Sequence, residues 1–228
     1  MQTITEARTN RPNVHIAYEQ APQLYHSRVA QLVVKHTGNS PNVLDIGCGV
    51  GHTLSEIKKR KPRCRLVAAD IDDTVLAITQ EHAQVDETIQ IGSVEDLFDG
   101  DRRYDAIIFS HVLEHTQRPV EIVRGLTEML SVDGVLVLAV PNPVRLDVIV
   151  GNVVRRHYVN RGHVFTWDRS HWMNFLDNIV GARVLEYSQD FFPIPFLQRA
   201  TVLRPIQVRL ASVFPWFAFS NIAVVSRK

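Results

Sequence analysis

The apolar positions of this chain fall into short blocks that alternate between two periods. From Gln23 to His36, Leu24, Val29, Leu32 and Val33 recur near helical spacing, and Thr37-Gly38-Asn39-Ser40-Pro41 supplies a stop. Val43–Ile46 reads as a short apolar strand, followed by a helix at Thr53–Arg60 that ends before Pro62. Arg65–Asp70 reads as a second strand and Asp73–His82 as the next helix. Further strands are expected at Thr88–Ile91 and Asp105–Ser110, the latter apolar on both faces through Ala106-Ile107-Ile108-Phe109. Pro119–Leu130 starts with proline and runs into Ser131-Val132-Asp133-Gly134, the chemistry of a helix start and stop. Val135–Val140 is a fifth apolar strand.

After Pro141-Asn142-Pro143 the pattern loosens through Val144–Gly162. A helix at Asp168–Val180 follows, then strands at Ala182–Ser188 and Ser220–Ser226 with no helical period between them. Continuously apolar strands alternating with helices predict an α/β fold: a mostly parallel sheet covered on both faces. The two late strands suit an antiparallel addition at one edge. Residues 1–22 are polar and weakly periodic, and are expected to form an arm ahead of a single domain at 23–228.

Composition narrows the partners. Hydrophobic residues are 45% and charged residues 21%, which is globular composition and argues against wholesale disorder. A net charge of +1 gives no electrostatic case for nucleic acid. Cys48 and Cys64 make no disulfide framework, and the polar start Met1–Glu6 lacks the apolar core of a secretory signal, so a cytoplasmic location is expected. No segment has the roughly 18 to 20 apolar residues that span a bilayer. The aromatic run Val213-Phe214-Pro215-Trp216-Phe217-Ala218-Phe219 is suited to peripheral lipid contact, although a loop feeding the last strand is the favoured reading.

The chemistry concentrates at Asp45-Ile46-Gly47-Cys48-Gly49-Val50-Gly51, directly after the first strand. Glycines permit positive φ and let a ligand approach the backbone, and strand ends of this kind are where doubly wound sheets bind ligands. His52 stands where a dinucleotide loop would carry its third glycine, and no Gly-Lys-Ser/Thr follows as in a P-loop. Asp70 ends the second strand, where a carboxylate can accept hydrogen bonds from two vicinal ribose hydroxyls. Helix capping is the competing role for Asp70, but Asp72 or Asp73 can cap instead.

These segments resemble, in order over roughly residues 24–190, the motifs of class I S-adenosylmethionine-dependent methyltransferases, in their small-molecule branch (type 11 or type 12). The glycine loop resembles motif I, Ala69-Asp70-Ile71-Asp72 the acidic second-strand end, and Ser93-Val94-Glu95-Asp96-Leu97 the adenine segment. Tyr104–His115 resembles the fourth strand and its turn, and Val137–Pro143 the fifth strand and substrate-side turn. The resemblance implies a Rossmann-like seven-stranded, mostly parallel sheet with a late antiparallel strand, and S-adenosyl-L-methionine as cofactor with S-adenosyl-L-homocysteine as product. It implies that Asp45 organises the loop near the methionine amino group while Gly47 and Gly49 let the cofactor lie on the backbone. Asp70 would hold the ribose, Ile71 would pack on adenine, Val94 and Glu95 would border its edge, and Ser110 and His111 would stand near the methionine part. Arg28 is placed either against the cofactor carboxylate or in solvent. Ser93 departs from the family's usual Asp, which shifts any adenine amino contact to Glu95 or the backbone. Ala182 likewise replaces the usual late aromatic.

A methyl on a sulfonium is already activated, so the protein must align the acceptor, exclude water and accept a proton. His163 leads as that base and His111 is second, with His115 read as a brace of its turn. His171 and Trp172 are expected to pack on a helix face. His111, Glu114 and His115 put three potential ligands on about one helical turn, but such groups commonly pair and the family motif requires no metal, so none is expected.

The absent Asn/Asp-Pro-Pro-aromatic turn and absent strand-end cysteine make nucleic acid an unlikely acceptor, leaving small molecules, sugars and lipid-linked compounds. Residues 191–219 are expected to be an acceptor-side insertion. Competing readings are a catalytically silent cofactor-binding subunit, a tRNA methyltransferase and an NAD-dependent oxidoreductase. Asp70→Ala is predicted to weaken S-adenosylhomocysteine binding by about 1.5–3 kcal/mol in a calorimetric titration; an unchanged affinity removes the ribose assignment.

Overall fold

The computed structural model describes residues 24–154, 162–194 and 201–227. The expected arm at 1–22 lies outside the described residues. Seven strands form one sheet: β1 (Asn42–Ile46), β2 (Arg65–Asp70), β3 (Glu87–Gln90), β4 (Tyr104–Ser110), β5 (Leu130–Pro141), β6 (Arg183–Gln189) and β7 (Ser220–Ser226). Their order is β3-β2-β1-β4-β5-β7-β6. β1 pairs in parallel with both β2 and β4, so the strand order reverses beside β1. Loops at the carboxyl ends of β1 and β4 therefore open a crevice between them. β7 runs antiparallel to β5 and to β6, as expected of a late edge addition.

Alternation along the strands builds two apolar layers. On one side Ile107 and Phe109 of β4 join Ile122 and Leu126 of α4 (Pro119–Glu128) and Trp172 of α6 (Arg169–Asn174). On the other, Ala106 and Ile108 join Val29 and Leu32 of α1 (Leu24–His36), Leu54 and Ile57 of α2 (His52–Arg60) and Leu76 of α3 (Asp73–Ala83). The sheet is thus covered on both faces, and its loop-bearing edge is left for chemistry.

Several expectations shift. β3 begins at Glu87 and ends at Gln90, so Ile91 leaves the strand while its N–H still donates to Asp70 O at 3.1 Å. Ser131–Gly134 does not end a helix but lies inside β5. Leu130 pairs with Tyr104, and a register shift between Tyr104 and Ala106 absorbs the extra residues. Ser131 Oγ donates to Asp105 Oδ1 at 2.9 Å, which fastens the segment to β4. The loosened region contains a helix, α5 (Leu146–Val154), whose Ile149, Val150, Val153 and Val154 are exposed. The 168–180 helix is α6 capped by Asp168 and continued by a π-helical turn at Phe175–Val180. Between β6 and β7 the absent helical period is contradicted by α7 (Arg204–Val213), which carries Pro near its start. The buried residues of α7 are Gln207 and Ala211, one polar and one small, so no large apolar side chain marks its period.

The β1–α2 loop is shaped by three left-handed glycines, Gly47 (φ +70°), Gly49 (φ +51°) and Gly51 (φ +79°). Gly47 N–H donates to Ala69 O at 2.8 Å, and a Cβ on Gly47 would lie 2.4 Å from Val112 Cγ2. Gly47→Ala is predicted to cost roughly 2–4 kcal/mol in urea unfolding, about half from the left-handed φ and half from the clash. Adding Val112→Ala should recover the second half only. Equal stability of Gly47→Ala and the parent would contradict this packing.

Candidate functional site

The crevice beside β1 contains a solvent-open recess with a cavity volume of about 100 Å³, lined by Asp45, Gly47, Cys48, Gly49, Ser110 and His111, with Tyr25, His26, Val50, His52 and Thr53 around them. The walls come from four elements: the end of β1, the glycine loop, the start of α2 and the end of β4, with α1 closing the top. The tilted rings of Tyr25 and His26 lie 3.9 Å apart between centroids, and Tyr25 meets the His111 ring at 4.7 Å.

Polar groups hold the loop from below. Thr79 Oγ1 donates to Gly49 O at 2.5 Å, and His82 Nδ1 donates to Val50 O at 2.7 Å. Asp70 accepts from Gly49 N–H at 3.3 Å and from Asp72 N–H at 3.1 Å, so its carboxylate spans the loop and the β2 end. Asp72 caps α3 by accepting from Thr74 and Val75 N–H, which leaves capping off Asp70. Burial pushes the Asp45 carboxyl well above the usual carboxylate range, and the neighbouring Asp70 pushes it further. Burial likewise raises Asp70, against the backbone N–H groups that lower it. Two adjacent acids, Asp45 buried and Asp70 partly buried, favour a positively charged occupant. Ser110 Oγ is buried without a hydrogen-bond partner at the edge of the same recess. Such an orphaned hydroxyl is relieved by a ligand with a matching polar atom.

His111 turns the chain at φ +57°, a left-handed conformation uncommon for a side-chain-bearing residue. Two bonds fix it there: its N–H donates to Ala139 O at 2.8 Å, and Nε2 shares a hydrogen bond with Ser220 Oγ at 3.0 Å. Burial foremost, with His26, Arg145, His163 and His115 nearby, lowers His111 to about 3, so the ring is neutral. Behind it, Glu114 is buried with Oε1 3.9 Å from both His111 Nδ1 and His115 Nε2, and burial raises its carboxyl to about 8. His115 Nδ1 donates to Gly162 O at 2.6 Å, which braces the turn as expected. His163 is half-buried, its ring 4.9 Å from that of His115, and burial first, then His115 and Arg145, lowers its pKa.

Of the residues singled out by sequence, Asp45, Gly47, Gly49, Ser110 and His111 share the recess and Asp70 supports its floor. Ile71, 48% exposed, extends the rim beyond Asp70. Val94 and Glu95 lie on a 3₁₀ turn after β3, apart from the recess lining, and Glu95 faces Arg118 at 3.5 Å. Ser93 and Asp96 close that turn as a capping box, which explains the serine where an acid was expected. Arg28 turns away from the site: its guanidinium donates to Ser188 Oγ at 2.7 Å and faces Glu186. Trp172 packs in the core, but His171 does not; it is exposed and pairs with Asp168 at 2.7 Å. Sequence reasoning missed Tyr25, His26 and His52 as lining residues, and grouped Glu114 with His111 and His115 without foreseeing its burial. The direct succession of His52 after the last loop glycine was its one available signal.

A methyltransferase-domain family model matches residues 17–186. The malonyl-[acyl-carrier protein] O-methyltransferase of Bacillus cereus is 26% identical over 119 residues, 51% of this chain and 44% of that protein. The ubiquinone biosynthesis O-methyltransferase of Azorhizobium caulinodans is 27% identical over 176 residues, 71% of this chain and 68% of that protein. The chain spans about half the length of the first curated relatives it matches. Among solved structures, magnesium protoporphyrin IX methyltransferase from Synechocystis PCC 6803, with bound S-adenosylhomocysteine, aligns with a TM-score of 0.59 at 16% identity, covering 90% of this chain and 84% of that one. A Haloferax volcanii methyltransferase in complex with its Trm112 activator aligns at 0.63 and 16% identity, covering 90% of each chain. The fold, the glycine loop after β1 and the match over three quarters of its length together make this chain a member of the methyltransferase-domain family, with the class I Rossmann-like architecture whose methyl donor is S-adenosylmethionine.

Proposed function

We propose that the protein transfers a methyl group from S-adenosylmethionine to an oxygen of a small-molecule, sugar or lipid-linked acceptor. The observation that carries this reading is the recess at the β1–β4 switch, where a buried acid, a glycine-lined wall and the unpartnered Ser110 Oγ meet. Its donor set fits an amino-acid nucleoside: buried negative groups for an ammonium, backbone for close approach, and Asp70 for vicinal hydroxyls. When bound, S-adenosylmethionine supplies a methyl on a positively charged sulfur, open to in-line attack by an oxygen lone pair that forms the O–C bond as the C–S bond breaks and the neutral thioether leaves.

In this reading Asp45 attracts the ammonium end, and Gly47 and Gly49 let the ligand lie against the backbone. Asp70 accepts ribose hydroxyls with the lone pairs its own backbone donors leave over. Ile71 offers an apolar face to the base, Val94 and Glu95 border its edge, and Ser110 and His111 confine the methionine end. Choice of oxygen as the methylated atom rests on the matched relatives, which are O-methyltransferases.

His163 accepts the acceptor's proton. It is neutral at pH 7, because burial, His115 and Arg145 all disfavour its charged form. His111 is the weaker candidate, being more strongly depressed and tied to Ser220. The acceptor side is apolar and aromatic: Phe219 stacks on Phe191 at 5.0 Å and on Tyr25 at 5.9 Å, and the Arg145 guanidinium lies 4.3 Å from the Phe219 ring centre. That wall suits an aromatic or lipid-linked acceptor. Exposed Val202, Ile206, Phe214 and Trp216 around α7 favour peripheral contact with lipid, and no helix among the described residues is long and apolar enough to cross a membrane.

A panel of phenols, sugars, acyl carriers and prenylated aromatics, scored for methyl transfer from labelled S-adenosylmethionine, tests the reading. His163→Ala is predicted to lower kcat on the active acceptor by roughly 10²- to 10⁴-fold with S-adenosylhomocysteine affinity unchanged. Full turnover by this variant would contradict the assignment of the proton to His163.

A further inference from the structure

Glu114, His115 and His163 form a cluster that the methyl-donor recess does not use. One ligand atom from each lies within 4.8 Å of the others, so a shift of about an ångström closes them around one ion. The three come from two segments pinned together by backbone bonds. Val164 and Phe165 N–H both donate to Glu114 O, at 2.8 and 3.2 Å. His115 Nδ1 donates to a carbonyl, Gly162 O, which fixes the neutral tautomer with its lone pair on Nε2. Nε2 is the atom that faces Glu114 Oε1, at 3.9 Å. An outer hydrogen bond of this kind is the usual way a metal-binding imidazole is oriented.

An independent observation comes from Glu114 itself. Its side chain is 2% exposed, and Oε2 is buried with no hydrogen-bond partner. An unpartnered buried carboxylate oxygen is costly, and coordination to a cation is one of the few ways to satisfy it. His111 Nδ1 also lies 3.9 Å from Glu114 Oε1, but the atoms that converge within 4.8 Å of one another are those of Glu114, His115 and His163.

We infer that Glu114, His115 and His163 form a binding site for one divalent transition-metal ion. Two imidazoles and one carboxylate suit zinc, cobalt, iron or manganese better than magnesium or calcium, which prefer oxygen donors. Three protein ligands leave a further position for water or a ligand oxygen. The inference departs from the sequence expectation of no metal, because spacing along one turn grouped Glu114 with His111 and could not show that His163 folds onto the same point. Ion binding itself is independent of the methyl-transfer reading. Its consequence for catalysis rests on that reading: with an ion bound, His163 would be a ligand and not the base, and the ion would acidify a coordinated acceptor hydroxyl whose proton would pass to solvent.

The test is calorimetric titration of the chelator-treated full chain with Zn²⁺, Co²⁺ and Mg²⁺, together with the visible spectrum of the Co²⁺ form. One Zn²⁺ or Co²⁺ per chain at micromolar or tighter Kd is expected, with the absorption bands of low-coordinate Co²⁺ and no Mg²⁺ binding at comparable concentration. Glu114→Gln and His163→Ala should each weaken Zn²⁺ binding at least tenfold. His163→Ala alters a half-buried loop residue, so it keeps the test valid if Glu114→Gln fails to fold. Absence of stoichiometric Zn²⁺ and Co²⁺ binding, or binding unchanged in a folded His163→Ala chain, overturns the site. Methyl transfer that survives complete metal removal would separate the two ideas: it retains the methyltransferase reading and rejects the catalytic role of the ion.

Discussion

The space beside Gly47 is already filled by Val112. That contact joins the turn after β1 to the turn after β4, and the rest of the site follows from it. With no Cβ to accommodate, Gly47 can adopt its positive φ, accept the neighbouring turn at van der Waals distance and bond back to Ala69 at the end of β2. Three adjacent strand ends are thereby locked in one arrangement. Thr79 and His82 secure the loop from α3, and Asp70 reaches Gly49 from β2. The recess is thus held by backbone and short side chains, not by long flexible ones, as preorganised binding requires.

Around this frame burial disfavours the charged forms of the acids and of the imidazoles. Burial foremost, then Asp70, raises the cost of ionising Asp45, and burial does the same to Asp70, while burial lowers the proton affinity of His111 and His163. A cationic ligand satisfies the acids, and neutral imidazoles remain able to accept protons or bind an ion. The same burial that stabilises the fold thus prepares two distinct chemistries on either side of the β4 turn.

The central part of this arrangement was legible in the sequence because it depends on local patterns. Apolar blocks of strand length, a glycine run after the first of them and an acid ending the second identify β1, the loop and β2 without any knowledge of distant contacts. The parallel sheet and its late antiparallel strand follow from the same reasoning. What was not legible depends on tertiary placement. Ser131–Gly134 has the residues of a helix stop, yet a register shift in the β4–β5 pairing takes it into a strand. α7 turns the polar Gln207 into the interior, so its burial does not follow its hydrophobicity. Position on α1 left Arg28 open to the cofactor carboxylate or to solvent, and its partners are instead Ser188 and Glu186 of β6. Glu114 and His163, 49 positions apart, meet only because the 162–165 segment pairs with the turn after β4.

The central claim is that the recess between Gly47 and Ser110 receives the methyl donor. A crystal structure grown with saturating S-adenosylhomocysteine tests it most directly. The account predicts density for the ligand along Gly47 and Gly49, its ribose hydroxyls on Asp70, and a new hydrogen-bond partner for Ser110 Oγ. Ligand density elsewhere on the molecule, with the recess filled only by solvent, would contradict it.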